Sequence, residues 1–183
     1  MSKENADKEQ KRSFKREAFS WIACIVVTIL LTEFILNFVI INANIPSGSM
    51  ENTIMTNDKL IALRTSYWFN DPKRGDIIIF KYPDDETEWF IKRVIALPGE
   101  TVLVKDGKVY INGSKKALSE PYIKEEPVED FGPYKVPKNG YFVMGDNRNN
   151  SNDARDWETH YVSRDEILGK AWFRYYTSIK VIK

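Results

Sequence analysis

The sequence has few of the residues from which disulfide frameworks and zinc sites are built. Among its 183 residues there is one cysteine, Cys24, and one histidine, His160. A single cysteine cannot form an intramolecular disulfide, and one residue of each type cannot supply a His/Cys zinc cluster. We therefore expect no disulfide within the chain and no metal.

The chain also lacks an excess of charge of either sign. Lysine and arginine together number 27, and aspartate and glutamate 26, which gives a formal net charge of +1. Such a balance argues against a basic surface for nucleic acid and against an acidic tail. We expect no nucleic acid among the partners.

One long apolar run lies near the start of the chain. Trp21–Ile41 contains 17 apolar residues in 21. As a helix it would span about 32 Å, close to the ~30 Å of a bilayer core. We predict a transmembrane helix over residues 19–41. The exception is Glu33, since a charge within the bilayer costs about 2.5–3.5 kcal/mol on insertion scales.

A cleaved signal peptide is the alternative interpretation of this run. Trp21–Thr32 alone has the length of a signal-peptide apolar region. The apolar character resumes after Glu33, however, and no pair of small residues closes the run as a cleavage site would. These features favour an anchor that stays attached.

Basic residues predict the orientation of the anchor. Residues 1–18 contain six lysines and arginines, whereas residues 42–64 contain only Lys59 and Arg64. By the positive-inside rule, residues 1–18 would lie in the cytoplasm and residues 42–183 outside. The sequence therefore predicts a single-pass protein of the cell membrane, with the lipid bilayer as one of its partners.

Residues 42–183 are dominated by strand patterns. Short apolar runs bounded by glycine or proline are typical of buried strands. In the segment 101–113, Asp106-Gly107 predicts the tight turn of a hairpin. We predict a mostly-β domain, a sandwich or a barrel, with a small inserted subdomain at about 103–138. The other predicted strands are 75–82, 88–97, 140–145 and 170–176.

The segment directly after the apolar run raises the possibility of serine chemistry. Ser47 and Ser49 flank Gly48, in a segment that by itself predicts only a tight turn. A serine attacks only when a base takes its proton. His160 is one candidate base, although its polar surroundings favour a solvated loop. Lys92, in an apolar strand, is another because desolvation lowers the pKa of an amine, yet periodicity alone favours a lysine that points to water.

Residues 144–156 form a polar segment, MGDNRNNSNDARD. It could be a surface loop or a calcium site, but the EF-hand spacing with its glycine is absent. Its acids and arginines could instead pair with one another and fix the loop against a strand.

Four segments together resemble a known family. PSGSM, RGDIIIF, IKRVIALPGE and GDNRNNSNDAR occur in the order found in bacterial type I signal peptidases, with an anchor ahead of them. The resemblance covers roughly residues 20–176 and is to the Gram-positive sort, with a reduced second subdomain. It implies a signal-peptidase-like β-fold on one N-terminal transmembrane helix. The implied activity is a serine endopeptidase without cofactors that cleaves signal peptides from exported preproteins after small residues at −3 and −1.

The resemblance also implies a role for individual residues. Ser49 would be the nucleophile and Lys92 its general base, while the Ser47 hydroxyl would stabilise the oxyanion. Ser151 would orient the Lys92 amine by a hydrogen bond. Supporting pairs would form between Asp146 and Arg93 and between Asp153 and Arg155. The residues expected to line the pockets for the small substrate side chains are Ile45, Pro46, Met50, Ile54, Phe90 and Ile91.

Some positions depart from the family's pattern, and other functions stay open. Asn52 stands where a proline is usual, which we expect to loosen the backbone after Ser49; Ala96 and Ala154 replace a glycine and a serine.

One alternative function is that of a self-cleaving regulatory protease with a serine–lysine pair. The other is an anchored β-domain that binds a surface partner without catalysis.

Overall fold

The computed structural model describes residues 3–176 and 178–182, with side chains from Phe14 onwards. Contacts divide the described chain into two compact units, one that ends at Val39 and one that begins at Ile40. The first unit is helical. Helix α1 spans Lys3–Phe34 and continues as a π-helical turn, Ile35–Val39. Within this unit, Phe14–Val39 is long and apolar enough to cross a membrane.

Glu33, the charged residue of the apolar run, has a polar partner on its own helix. The Asn37 side-chain amide donates to the Glu33 backbone carbonyl at 2.8 Å and to its carboxylate at 3.0 Å. Residues four apart lie on the same helix face, which explains the contact. In an apolar medium, a hydrogen bond reduces the cost of a buried polar group.

The helical unit ends earlier than the sequence predicts. Ile40 and Ile41, assigned to the transmembrane helix, begin strand β1 (Ile40–Asn44), which pairs antiparallel with β2 (Lys59–Leu63). Ile41 is buried in the β unit. Two isoleucines at the end of an apolar run fit a helix or a buried strand equally well, so periodicity cannot separate them.

The second unit is built almost entirely of strands, and the prediction of a mostly-β fold is confirmed. After β1 and β2, its strands are β3 Ile77–Tyr82, β4 Asp85–Ala96, β5 Thr101–Lys105, β6 Lys108–Ile111, β7 Phe131–Lys135, β8 Gly140–Met144, β9 Val162–Ser163, β10 Ile167–Arg174 and β11 Lys180–Val181. The larger sheet has the strand order β1–β2–β10–β3–β4–β8–β9, with β11 also pairing with β10, and a smaller sheet has the order β6–β5–β7.

The apolar run of β3 is explained by cores on both faces of the sheet. Ile78 and Phe80 belong to one buried cluster, and Ile77 and Ile79 to the other. Since alternate side chains of a strand point to opposite faces, a strand covered on both sides is apolar throughout. Strand β4 also contributes residues to both clusters, and it carries Lys92.

The smaller sheet contains one predicted and one unpredicted pairing. The β5–β6 hairpin turns at Asp106 and Gly107, both with positive φ, as the sequence predicts for a tight turn. Strand β7 also pairs with β5, although it is not among the strands that the sequence predicts. Its glycine and proline, Gly132 and Pro133, are residues that normally argue against a strand.

We predict that Gly169→Ala destabilises the β unit. A Cβ at Gly169 on β10 would lie 2.9 Å from the Leu63 carbonyl oxygen of β2, so the two strands would have to separate. Overpacking of this kind costs about 1–3 kcal/mol. Chemical denaturation should show a lower midpoint with an unchanged slope, whereas wild-type stability would mean that β10 and β2 do not approach this closely.

Candidate active site

Ser49 lies on a compact turn, residues 48–54, which we call the Ser49 turn. Its backbone closes on itself through hydrogen bonds from Glu51 N–H to the Gly48 carbonyl and from Ile54 N–H to the Met50 carbonyl. The side chains of Met50 and Ile54 are fully buried in the cluster that also holds Ile77 and Ile79. These two anchors fix the turn against the sheet and leave Ser49 beside β4.

The Lys92 amine and the Ser49 hydroxyl are in direct contact. Lys92 Nζ lies 3.0 Å from Ser49 Oγ, and the two residues are only 4% and 7% exposed. Burial lowers the pKa of Lys92 to about 8, although the negative charge of Asp153 acts in the opposite direction. At pH 7 about a tenth of such lysines would be neutral, against about one in three thousand for an amine in water. The site can therefore hold a serine beside an available base.

Ser47 adds a second hydroxyl to this site. Its Oγ lies 3.3 Å from Ser49 Oγ. A Cβ at Gly48, between the two serines, would lie 2.7 Å from Glu51 Oε1, so a side chain there would displace the end of the Glu51 side chain.

Asn147 holds the backbone of the Ser49 turn through two hydrogen bonds. The sequence analysis does not predict this role. Its side-chain amide donates to the Gly48 carbonyl at 3.0 Å, and its backbone N–H donates to the Ser49 carbonyl at 3.1 Å. The Asn147 side chain is buried. In a trans peptide the carbonyl and the next N–H point in opposite directions, so fixing the Gly48 carbonyl also fixes the direction of the Ser49 N–H.

The two expected acid–arginine pairs are both present. Arg93 and Asp146 form two parallel hydrogen bonds of 2.8 Å, with side chains 2% and 0% exposed. Arg155 donates to both carboxylate oxygens of Asp153 at 2.9 Å. Buried pairs add little net stability, but removing one partner leaves a buried charge at a cost of about 3–5 kcal/mol. They hold the loop after β8 in one conformation.

The expected hydrogen bond between Ser151 and Lys92 is not formed. Ser151 Oγ is buried and has no hydrogen-bond partner among the residues that the structure describes. Its side chain instead packs where a Cβ of Gly145 would lie. Within the described residues, the hydrogen-bond partner of the Lys92 amine is Ser49.

A groove of about 730 Å³ opens beside the two serines. One wall is β1 with the segment that follows it, and the other is Glu88–Lys92 of β4. Because β8 pairs with β4 only from Arg93 to Ala96, the stretch Glu88–Ile91 keeps one edge without a strand partner among the described residues. Of the residues predicted to line substrate pockets, Ile45, Pro46, Phe90 and Ile91 line the groove, whereas Met50 and Ile54 lie behind it in the core.

His160 is not part of this site. Its Nδ1 lies 2.8 Å from the Ala154 carbonyl oxygen, and its ring meets those of Phe131 and Tyr134 edge-on. Ser49 Oγ has its contacts with Ser47 and Lys92 instead. A serine–histidine arrangement is therefore not assembled. Among the described residues, no group of three histidine, cysteine, aspartate or glutamate side chains could hold a metal ion.

Comparison with known proteins gives consistent matches over most of the chain. The family model described as "Signal peptidase, peptidase S26" matches residues 18–176. Signal peptidase I of Leptolyngbya laminosa is 45% identical over 163 residues, which are 85% of this chain and 78% of that protein. Signal peptidase I of Bacillus amyloliquefaciens is 36% identical over 178 residues, 92% of this chain and 93% of the other. A crystal structure of a signal peptidase I from Enterococcus faecalis V583 has a TM-score of 0.48 and 35% identity, covering 55% of this chain and 97% of that one.

We predict that Lys92→Met stabilises the protein near neutral pH. Burial lowers the pKa of Lys92 from 10.5 to about 8, so below pH 8 the folded state carries a buried ammonium. That cost is up to about 3 kcal/mol and disappears as pH rises from 8 to 10.5. Unfolding measured across this range should show the variant more stable at pH 7, with the advantage shrinking toward pH 10.5.

The matched control is Lys81→Met on β3, whose lysine side chain is 41% exposed. This variant should show no such pH-dependent gain. A Lys92→Met protein that is less stable than the wild type at every pH would contradict the burial of the amine.

Proposed function

This chain belongs to the signal peptidases of family S26, and from that premise we propose how it works: Ser49 is the nucleophile and Lys92 the general base. The observation that carries the proposal is the 3.0 Å hydrogen bond between the buried Lys92 amine and the Ser49 hydroxyl. The chain is a membrane-anchored serine endopeptidase, as its family is, and its substrates are preproteins with signal peptides. The assignment of individual residues and of the orientation is our proposal.

In the proposed reaction Lys92 carries the proton through both halves of the cycle. Neutral Lys92 takes the Ser49 proton as Oγ attacks the carbonyl carbon of the −1 residue. The lysine then gives that proton to the departing amine of the mature protein, which leaves the signal peptide esterified to Ser49. A water molecule loses its proton to Lys92 and attacks the ester, and the proton returns to Ser49 Oγ as the acid is released.

The negative charge of the tetrahedral intermediate is proposed to lie between two hydrogen-bond donors. We assign these to the backbone N–H of Ser49 and the hydroxyl of Ser47, whose oxygen lies 3.3 Å from Ser49 Oγ. The Asn147 bond to the Gly48 carbonyl supports this assignment because it fixes the peptide that carries the Ser49 N–H. Donors held in position before the reaction stabilise developing charge without reorganisation, and each contributes about 10²–10³ in rate.

The groove suggests how the substrate is held. The residues before the scissile bond are proposed to pair with the free edge of Glu88–Ile91 as an added strand. Alternate side chains would then face the groove wall, where Ile45, Phe90 and Ile91 leave space for small residues at −1 and −3. Larger side chains would overlap with this wall.

The anchor is proposed to have its N-terminus in the cytoplasm, which puts the catalytic unit on the outer side of the cell membrane. The support is the excess of lysine and arginine before residue 18. A tether of this kind keeps the serine at the membrane boundary, where signal peptides emerge. It restricts the encounter with substrate to two dimensions.

The two alternative functions are each less well supported, for different reasons. A non-catalytic binding domain gives no reason for a buried amine in contact with a serine hydroxyl, an arrangement that costs stability at neutral pH. A self-cleaving regulator would need a cleavable segment of the same chain near Ser49. No observation favours either reading.

We predict that a preprotein with an Ala-x-Ala site is cut at the −1/+1 bond by the detergent-solubilised wild type. Ser49→Ala and Lys92→Met should each lower kcat/KM by at least about a thousandfold, since nucleophile and base act as a unit. Lys81→Met is the control for losing a lysine elsewhere on the sheet, and it should cut normally. Equal cutting by all four proteins would refute the assignment of the site.

A further inference from the structure

Asn52 has an unusual backbone conformation on the Ser49 turn. Its φ is +88°, in the left-handed region that most side chains avoid but that asparagine tolerates. It lies three residues after Ser49, at the position where the family usually has a proline. Because proline is restricted to φ near −65°, the turn of this chain cannot have the conformation that a proline would impose.

The Asn52 side chain reaches a segment about seventy residues away in the sequence. Its amide nitrogen donates to the Tyr122 carbonyl at 2.9 Å and to the Ile123 carbonyl at 3.3 Å. These acceptors lie in residues 120–124, which we call the strap. From the sequence we expect the loss of proline to loosen the backbone after Ser49. In the structure this backbone is instead attached to the strap by the Asn52 side chain.

The strap itself is held at three points by the residues that surround the site. Glu120 accepts hydrogen bonds from Arg148 at 2.7 and 3.1 Å, and both side chains are buried. The Tyr122 ring packs on the guanidinium of Arg93, 3.9 Å from the ring centroid. The Lys124 N–H donates to the Asp146 carbonyl at 3.0 Å.

The strap thus connects Asn52, which follows Ser49 on the turn, to the residues that hold the turn at Gly48 and Ser49. Arg93 pairs with Asp146, and the next residue, Asn147, holds the carbonyls of Gly48 and Ser49. With Asn52 attached to the same assembly, the turn is fixed on both sides of Ser49.

We propose that Asn52 is a positioning residue for Ser49, acting through its two hydrogen bonds to the strap. The inference rests on the proposed function and adds to it a residue that touches neither Lys92 nor the groove. The hydrogen bonds of the Asn52 amide restrict the backbone of the turn, as the ring of a proline at this position would do through its covalent bonds. An error of a fraction of an ångström in Ser49 would lengthen its bond to Lys92 and lower the rate of attack rather than weaken binding.

A second contact between strap and turn is expected to matter little. Lys124 Nζ lies 2.9 Å from the Glu51 carboxylate, but the two side chains are 48% and 27% exposed. Exposed ion pairs of this kind contribute little, because water screens them and both side chains lose freedom. Lys124→Met therefore serves to separate the strap's backbone attachment from its surface charge.

The test compares two glycine substitutions at positions with the same backbone requirement. Asn52 and Asn57 both have positive φ, +88° and +69°, and both are exposed. Asn57 has no side-chain hydrogen bond among the described contacts. Glycine adopts positive φ without strain, and it adds backbone freedom at both positions. The two variants therefore differ in that Asn52→Gly also removes the bonds to the strap, whereas Asn57→Gly removes no side-chain hydrogen bond.

We expect Asn52→Gly to lower kcat for the Ala-x-Ala preprotein by about tenfold with KM changed by less than about twofold. Its melting temperature should stay within about 3 °C of the wild type. Asn57→Gly and Lys124→Met should keep the wild-type kcat. Asn52→Ala, which loses the bonds and also strains the backbone, should be slower than Asn52→Gly.

Other results would overturn the proposal. An unchanged kcat in Asn52→Gly would show that the bonds to the strap do not position Ser49. A higher KM at constant kcat would place Asn52 in substrate binding, and an equal loss in Asn57→Gly would make the effect one of turn flexibility. Wild type and Ser49→Ala run in the same assay separate this from the proposed function: if Ser49→Ala also cuts, both fall together.

Discussion

The site depends on the removal of one lysine from water. A lysine amine at the surface is protonated at neutral pH and cannot accept a proton. At Lys92, burial lowers the pKa to about 8, which makes the neutral amine accessible. The Ser49 hydroxyl lies 3.0 Å from this amine, within reach for giving up its proton. The same burial destabilises the folded protein at neutral pH, so the proposed catalytic role of Lys92 has a cost in stability.

The surrounding structure serves to keep Ser49 beside that amine. Met50 and Ile54 anchor the turn in the core, and Asn147 holds its carbonyls. The buried pair of Arg93 and Asp146 fixes the loop from which Asn147 comes. None of these residues touches the reacting atoms, yet each removes a way in which the two partners could separate. In the proposed function, the groove along the free edge of β4 holds the peptide beside this fixed pair.

Much of the fold could be predicted from the sequence because it follows from local patterns. The strands with apolar runs and the Asp106-Gly107 hairpin are of this kind. Strand β7 could not be predicted, because its glycine and proline argue against a strand and only its pairing with β5 makes it one. Ile40 and Ile41 fit a helix and a strand equally well, so only the pairing with β2 decides.

The site was predictable to the extent that it matches a family, and no further. Periodicity alone would have turned Lys92 toward water, because its burial comes from segments distant in the sequence. The contacts of Asn147 with Gly48 and of Asn52 with Tyr122 span 99 and 70 residues. No local pattern carries such information. The measurement that tests the central claim most directly is kcat/KM for an Ala-x-Ala preprotein between pH 6 and 10. The account predicts a rise with pH whose midpoint is about 8, where Lys92 loses its proton. A midpoint near 6.5, the value for histidine in water, or near 10.4, that of an exposed lysine, would contradict it.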